Sequence, residues 1–191
     1  ISGTHGLEFD KDGNMYLLDF EQNRIQVFHI APKVFAPLFY EETEEPISTT
    51  SQYSPSGDDL VAVLKTGSGQ IVIEFFDEDA PKHVENFIAL AENDWYETTL
   101  FHRIIKDFMI QGGDPNTKPE PGNTSDKWGT GDPGYSIDAE FNSIKHERGI
   151  VSMARSNDPD SAGSQFFIVH KDSTHLDGKY TVFGRLITSE S

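Results

Sequence analysis

The densest set of side chains able to do chemistry in this 191-residue chain is Phe101-His102-Arg103-Ile104-Ile105-Lys106-Asp107-Phe108-Met109-Ile110-Gln111-Gly112-Gly113-Asp114. It places a permanently charged guanidinium and a carboxamide among bulky apolar residues, so the chemistry on offer is hydrogen-bond donation rather than nucleophilic attack. If 108–111 is extended, Phe108 and Ile110 face one way and Met109 and Gln111 the other, unless a bend intervenes. Pattern alone leaves two readings open. Either Arg103 snorkels to solvent from an ordinary core hairpin, or the run carries function.

Other motifs lead nowhere. His146-Glu147-Arg148-Gly149-Ile150 lacks the second histidine of a zinc-protease helix. The seven histidines are scattered without ligand spacing, and no metal or cofactor is expected. Gly129-Thr130-Gly131-Asp132-Pro133-Gly134 matches G-x-G-x-x-G but neither follows a strand nor opens a helix, which makes it a loop. In Asp10-Lys11-Asp12-Gly13 the glycine comes too early for a calcium loop, so a hairpin turn is the reading. Asn123-Thr124-Ser125 is a glycosylation sequon, meaningful only on a eukaryotic secretory route. With no cysteine, disulfides, thiolate zinc sites and cysteine nucleophiles are excluded.

Three zones position these residues. Residues 1–29 read as short strands, Leu7-Glu8-Phe9 and Asn14 to Leu18 about the Asp12-Gly13 turn, then a second hairpin-like unit in which Glu21-Gln22-Asn23 turns into Arg24 to Phe28. Residues 30–58 read as a linker, broken by Pro32, Pro37, Pro46 and Pro55 and carrying the acidic run Glu41-Glu42-Thr43-Glu44-Glu45. Its stretch Val34-Phe35-Ala36-Pro37-Leu38-Phe39-Tyr40 is apolar enough to dock on a neighbouring surface. From Asp59 onward a compact domain is expected. Leu60 to Leu64 and Gln70 to Phe76 are strands joined at Gly67-Ser68-Gly69. Val84, Phe87, Ile88 and Ala91 mark an amphipathic helix opened by Asp79 and Pro81 and ended by Asn93. Further strands are expected over 100–105, 108–111, 149–154, 165–169 and 180–186. Many short strands and few helices predict a mainly β antiparallel barrel.

Composition narrows the partners. Fifteen basic against 32 acidic side chains give a formal charge of −17, which opposes nucleic acid and anionic membranes. No apolar run is long enough to span a bilayer. The start Ile1-Ser2-Gly3, with neither initiator Met nor signal pattern, reads as cut from something longer, so the compartment stays open between cytoplasm and secretion.

The run at 101–114 resembles the cyclophilin signature Phe-His-Arg, two apolar residues, then Phe-Met-x-Gln-Gly-Gly-Asp. Gly149-Ile150-Val151-Ser152-Met153-Ala154 with Gly163-Ser164-Gln165-Phe166-Phe167-Ile168 resembles a second family block. Leu176-Asp177-Gly178-Lys179-Tyr180-Thr181-Val182-Phe183-Gly184 resembles a third, and Gly129-Thr130-Gly131 a family loop. The resemblance covers residues 59–191. It implies a cyclophilin-like barrel with a flanking helix and a peptidyl-prolyl cis/trans isomerase acting on proline-containing peptides, in folding or conformational switching. Arg103 then matches the catalytic arginine and Gln111 its neighbour. Phe108, Met109, Phe167 and Leu176 match the proline pocket, and Ala154 and Gln165 the adjoining groove. Phe166, on the opposite face of the strand from Phe167, would be core. Separately, residues 6–28 resemble one NHL repeat, a single blade of a β-propeller, which cannot bury its own faces without neighbours.

Amide chemistry agrees with the implied activity. Delocalisation of the nitrogen lone pair raises a barrier of ~18–20 kcal/mol to rotation. No bond breaks, so no nucleophile, base or metal is required. In the twisted state the nitrogen becomes an acceptor, and a guanidinium that donates to it only there lowers the barrier selectively. Gln111 could orient Arg103 or hold the substrate carbonyl. The alternative is a non-catalytic proline-peptide reader on a propeller scaffold.

The chain departs from the pattern at four groove positions and at its end. Arg155 stands where Asn is common, and 156–162 is about one residue longer than usual. His175 replaces a frequent Trp, implying weak or no cyclosporin binding, and Tyr180 replaces a frequent His. The family continues past a segment like Phe183-Gly184-Arg185-Leu186 with a further helix and strand, whereas this sequence stops at Ser191. The expectation is truncation, or an edge covered by residues from the first 58.

Overall fold

The computed structural model describes residues 60–67 and 69–187, together with the backbone strands at 8–9, 15–16 and 24–29. The short strands β1 (Glu8–Phe9) and β2 (Met15–Tyr16) pair antiparallel, Glu8 opposite Tyr16, while the turn expected at Asp12-Gly13 lies outside the described residues. The strand β3 (Arg24–His29) does not extend that pair. It runs antiparallel along β4 (Leu60–Thr66), from Arg24 opposite Lys65 to His29 opposite Leu60. The expected hairpin about Glu21-Gln22-Asn23 lies outside the described residues, but its strand β3 joins the sheet that β4 opens. A two-stranded ribbon is marginal alone, while the edge of β4 offers a long ladder of backbone partners.

The main sheet continues through β5 (Gly69–Phe75), α1 (Pro81–Glu92), β6 (Arg103–Ile105), β7 (Met109–Gly112), β8 (Ile150–Met153), β9 (Phe166–Val169) and β10 (Val182–Leu186). Its strand order is β3-β4-β5-β10-β8-β9-β7-β6, antiparallel throughout. This is the mainly β, curled antiparallel architecture expected, with one flanking helix. Among the described residues no helix is long and apolar enough to cross a membrane.

Helix α1 opens with Pro81 in its first turn, where a missing N–H costs nothing. Its cap residue Ala80 supplies no side-chain acceptor. Glu140 does so from a distant loop, accepting the Lys82 and His83 backbone N–H groups at 3.1 and 3.0 Å. A carboxylate there satisfies free donors and meets the positive end of the helix dipole. The buried stripe is Val84, Phe87, Leu90 and Ala91, with Ile88 only partly buried. Phe87 sits at the centre of the core, its ring centroid 4.9 Å from Tyr96, 5.3 Å from Phe183, 5.4 Å from Phe166 and 5.7 Å from Phe75. Aromatic edges and faces at such spacings gain beyond simple burial.

The expected strand over 100–105 shortens to Arg103–Ile105, because Leu100 gives its N–H to the Thr117 hydroxyl at 2.9 Å instead of to a neighbouring strand. The others begin or end within two residues of expectation. Between β6 and β7, Asp107 adopts a left-handed φ of 58° and the Phe108 N–H bonds Ile105 O at 3.1 Å. Phe108 lies in that turn, outside the strand. Its ring consequently packs in the same cluster as Met109, correcting the simple alternation expected from sequence.

Candidate active site

Register builds the site. Arg103 lies opposite Gln111, Gln111 opposite Phe167, Phe167 opposite Ser152 and Ser152 opposite Val182. Directly opposed residues share a sheet face, so this row runs across five strands on one side. The adjacent row, Ile110, Ile168 and Val151, points into the core against α1. The two neighbours Phe166 and Phe167 divide accordingly, one in the core cluster and one in the second cluster on the opposite face.

That second cluster brings together Met109, Ile150, Phe167, Val169, Leu176 and Val182, with Phe108, Ala154 and Tyr180 packed against it. Every apolar residue assigned to the pocket by resemblance is here. A polar row runs beside it. Arg103 Nη1 donates to Gln111 Oε1 at 3.2 Å, Gln111 Nε2 to Gln165 Oε1 at 2.9 Å, and Gln165 Nε2 to Gly131 O at 2.8 Å. Each amide is locked by the next, so the guanidinium is presented by a rigid chain while remaining exposed itself.

The loop at the end of that row is held by Asp114. Its buried carboxylate accepts from the Asn116 N–H at 2.7 Å and from the Gly129 N–H. A side chain at Gly131 would meet Asp114 Oδ1 at 2.2 Å, so this close approach requires glycine. The sequon residue Asn123 is engaged as well, donating Nδ2 to Pro115 O and Lys118 O at 3.2 and 3.1 Å.

The other flank carries the departures. The Phe108 and His175 ring centroids are 5.5 Å apart, and Tyr180 meets Phe167 edge-on at 5.6 Å. Arg155 places its guanidinium carbon 4.6 Å from the Tyr180 ring centre. It donates Nε and Nη2 to Lys179 O at 3.0 and 2.8 Å, and Nη1 to Ser156 O at 2.8 Å. Arg155 therefore staples the loop after β8 to the loop before β10. The 156–162 segment is closed by Ser161 Oγ donating to Asp158 O at 2.6 Å.

A family model described as cyclophilin type peptidyl-prolyl cis-trans isomerase matches residues 61–191. The chain belongs to the cyclophilin-type peptidyl-prolyl cis-trans isomerases. It is 49% identical over 129 residues to peptidyl-prolyl cis-trans isomerase 10 of Caenorhabditis elegans, covering 67% of this chain and 76% of that protein. A peptidyl-prolyl cis-trans isomerase of Synechococcus elongatus is 43% identical over 130 residues, covering 68% and 82%. Among solved structures, a Cryptosporidium parvum cyclophilin-type isomerase crystallised in the presence of the dipeptide Ala-Pro aligns with a TM-score of 0.56 and 38% identity, over 63% of this chain and 74% of that one. The cyclophilin AquaCyp293 of Hirschia baltica aligns with a TM-score of 0.57 and 27% identity, over 67% and 64%.

In this cyclophilin a buried polar relay beside Phe167 escaped the sequence reading. His146 Nδ1 lies 3.1 Å from Asp177 Oδ1, and His146 Nε2 lies 3.0 Å from Ser152 Oγ. The His146 N–H donates to Asp177 at 2.9 Å; that bond first, then the imidazole and Lys145, hold the Asp177 pKa down to about 2. Burial pushes the His146 pKa below its ordinary value, against the pull of Asp177. The relay joins positions 31 residues apart, and no periodicity marks it.

Proposed function

We propose that the groove accelerates rotation about X-Pro bonds in exposed peptide segments, with Arg103 as the donor to the prolyl nitrogen. The observation that carries this reading is the fixed row Arg103–Gln111–Gln165 running beside an apolar patch of Phe108, Met109, Phe167 and Leu176. The patch takes the pyrrolidine ring by burial of apolar surface. Gln111, accepting from Arg103 and itself fixed by Gln165, aims the guanidinium. Ala154 and Gln165 line the path of the flanking residues, and Arg155, His175 and Tyr180 shape its far end. As the amide twists, its nitrogen regains a lone pair and gains a bond from Arg103 that the planar ground state lacks. Donation confined to the twisted state lowers the barrier without tightening ground-state binding. The crystallisation of a relative in the presence of Ala-Pro supports a prolyl peptide as ligand. His175, in place of the family's frequent Trp, supports weak cyclosporin binding at most.

The test is a protease-coupled or exchange-NMR isomerase assay on this chain beside Arg103→Ala. Losing one charge-stabilising donor costs about 10²–10³-fold in rate. Arg103 is exposed, so its thermal midpoint stays at the wild-type value. A variant with wild-type kcat/KM would remove Arg103 from the mechanism, and peptide binding without acceleration would favour the proline-peptide reader.

We also propose the division 1–29 as an NHL-like element, 30–58 as linker and 59–191 as the isomerase domain, with β3 of the first segment covering the outer edge of β4. The strands that build the groove, β6 to β9, lie at the other end of the strand order. Deleting 1–58 should therefore lower the urea midpoint while leaving KM for a prolyl peptide unchanged. A deletion variant that remains a soluble monomer with the wild-type midpoint would rule out the covering role.

A further inference from the structure

The apolar wall of the groove is backed by charge. Ser152 and His146 are fully buried, and Ser152 is the direct cross-strand partner of Phe167. The His146 ring lies 15° from parallel to Phe167, with centroids 6.1 Å apart. Asp177 directly follows Leu176 in sequence, so its bonds to His146 fix the position of that second wall residue too. The relay thus ties together, from behind, two residues that the proline ring would touch in front.

Proton counting shows that the relay has little freedom. An ionised Asp177 only accepts, so Nδ1 of His146 carries a proton toward it. In the neutral imidazole Nε2 is then an acceptor, and the donor within reach is the Ser152 hydroxyl at 3.0 Å. The same hydroxyl lies 2.8 Å from Thr181 O, which also receives the Met153 N–H at 2.9 Å. Ser152 can therefore turn its proton to His146 without stranding the carbonyl. A purely apolar filling would hold the same volume without the cost of burying these groups. That cost is offset by an imidazole plane fixed at both nitrogens against the Phe167 ring.

We propose that His146, oriented by Asp177, is a positioning residue for catalysis: it fixes Phe167 and Leu176 in the geometry that holds the prolyl ring while the amide twists. It touches neither substrate nor reacting atoms. Its contribution appears in kcat, because a loosened wall still accepts proline but no longer holds it against rotation of the carbonyl side. The inference rests on the isomerase reading above.

The test uses His146→Asn, whose amide can replace Nδ1 toward Asp177 but cannot reach Ser152, and Asp177→Asn, which keeps the shape and removes the charge. For His146→Asn we expect kcat to fall about tenfold, as misplacement near a reacting centre does, with KM for a prolyl peptide little changed. Asp177→Asn should move kcat the same way by a smaller factor. Both should shift and broaden the Phe167 ring resonances in aromatic NMR spectra. Unchanged kcat and unmoved Phe167 resonances in both variants, whatever happens to their melting temperatures, would overturn the proposal. Wild type and Arg103→Ala run alongside. An inactive wild type would sink the isomerase reading itself, and the Phe167 resonances alone would then decide the placement, moved in support or unmoved against.

Discussion

The two faces of the sheet use the same strands for different work. On the inner face, Ile110, Val151, Phe166, Ile168 and Phe183 pack with Phe87 and Tyr96 of the helix region into one cluster. On the outer face, one residue along each strand, Met109, Phe167, Val169 and Val182 form a smaller cluster with a polar row at its side. The inner face is closed by α1; the outer face is backed by a histidine–carboxylate pair and open toward Arg103. Alternation along a strand thus separates stability from chemistry by a single residue step. The outer cluster is buried too, but what flanks it is different: Phe108, Ala154 and Tyr180 pack on it, with the polar row and the His146–Asp177 pair beside it.

Phe166 and Phe167 test this most directly. Both are nearly inaccessible, at 2% and 5% exposure, so burial alone does not tell them apart. Phe166 meets the rings of Phe87, Tyr96 and Phe101. Phe166→Ala should cost ~3–5 kcal/mol of stability, the range for removing a large aromatic from a packed core. Phe167 is flanked by His146 and Tyr180 at the groove. Phe167→Ala should destabilise by the smaller part of that range or less, while raising KM for prolyl peptides. Urea melts and steady-state kinetics on both variants check it. Equal losses of stability with equal KM values would erase the distinction between the faces.

Much of this division could be read from sequence, and where reading stopped there is a physical reason. Strand periodicity and the Gly67 and Gly69 turn located β4 and β5, and Pro81 with the apolar repeat located α1. Arg103 and Gln111 stand out through the family resemblance, residue type alone leaving Arg103 an ordinary strand arginine, and the register that sets them opposite each other comes only with the fold. The segment from Pro115 to Glu147 was opaque because single side-chain contacts hold it instead of a period. Asp114 holds the 129–131 loop, and Glu140 caps a helix 58 residues earlier. His146 looked like one scattered histidine among seven, since Asp177 and Ser152 reach it only after the chain folds. That residues from the first 58 cover an edge is an expectation of the sequence, but which strand does so is not, because a strand that suits a hairpin also suits an open edge.

A finer contrast lies between two buried histidines, one serving each face. His83, in the first turn of α1, donates from Nδ1 to Glu140 Oε2 at 2.7 Å, and its Nε2 meets no protein partner. His146 makes the same kind of pair with Asp177 but passes the contact on to Ser152. Burial lowers the pKa of His83 from 6.5, against the opposing pull of Glu140, just as it does for His146. Burial alone would raise the Glu140 pKa, but the His83 ring and the two helix N–H groups outweigh it and bring it below its ordinary value. The signs agree. An unfolded histidine takes a proton near pH 6.5 while the folded one resists it, so stability is full above that value and falls as pH drops through it toward the folded pKa. A group of this kind contributes a slope of at most about 1.4 kcal/mol per pH unit. Glu140 and Asp177 add their loss at lower pH, below their unfolded values, as their folded pKa values are approached. Urea midpoints measured from pH 7.5 to 5 should therefore decline, and His83→Asn should flatten that decline while leaving kcat untouched. His146→Asn should flatten it as well, yet lower kcat at every pH, because only His146 touches a wall of the groove. If His83→Asn changes kcat as much as His146→Asn does, the two pairs are not distinguished by face, and the relay behind Phe167 has no special part in holding the proline.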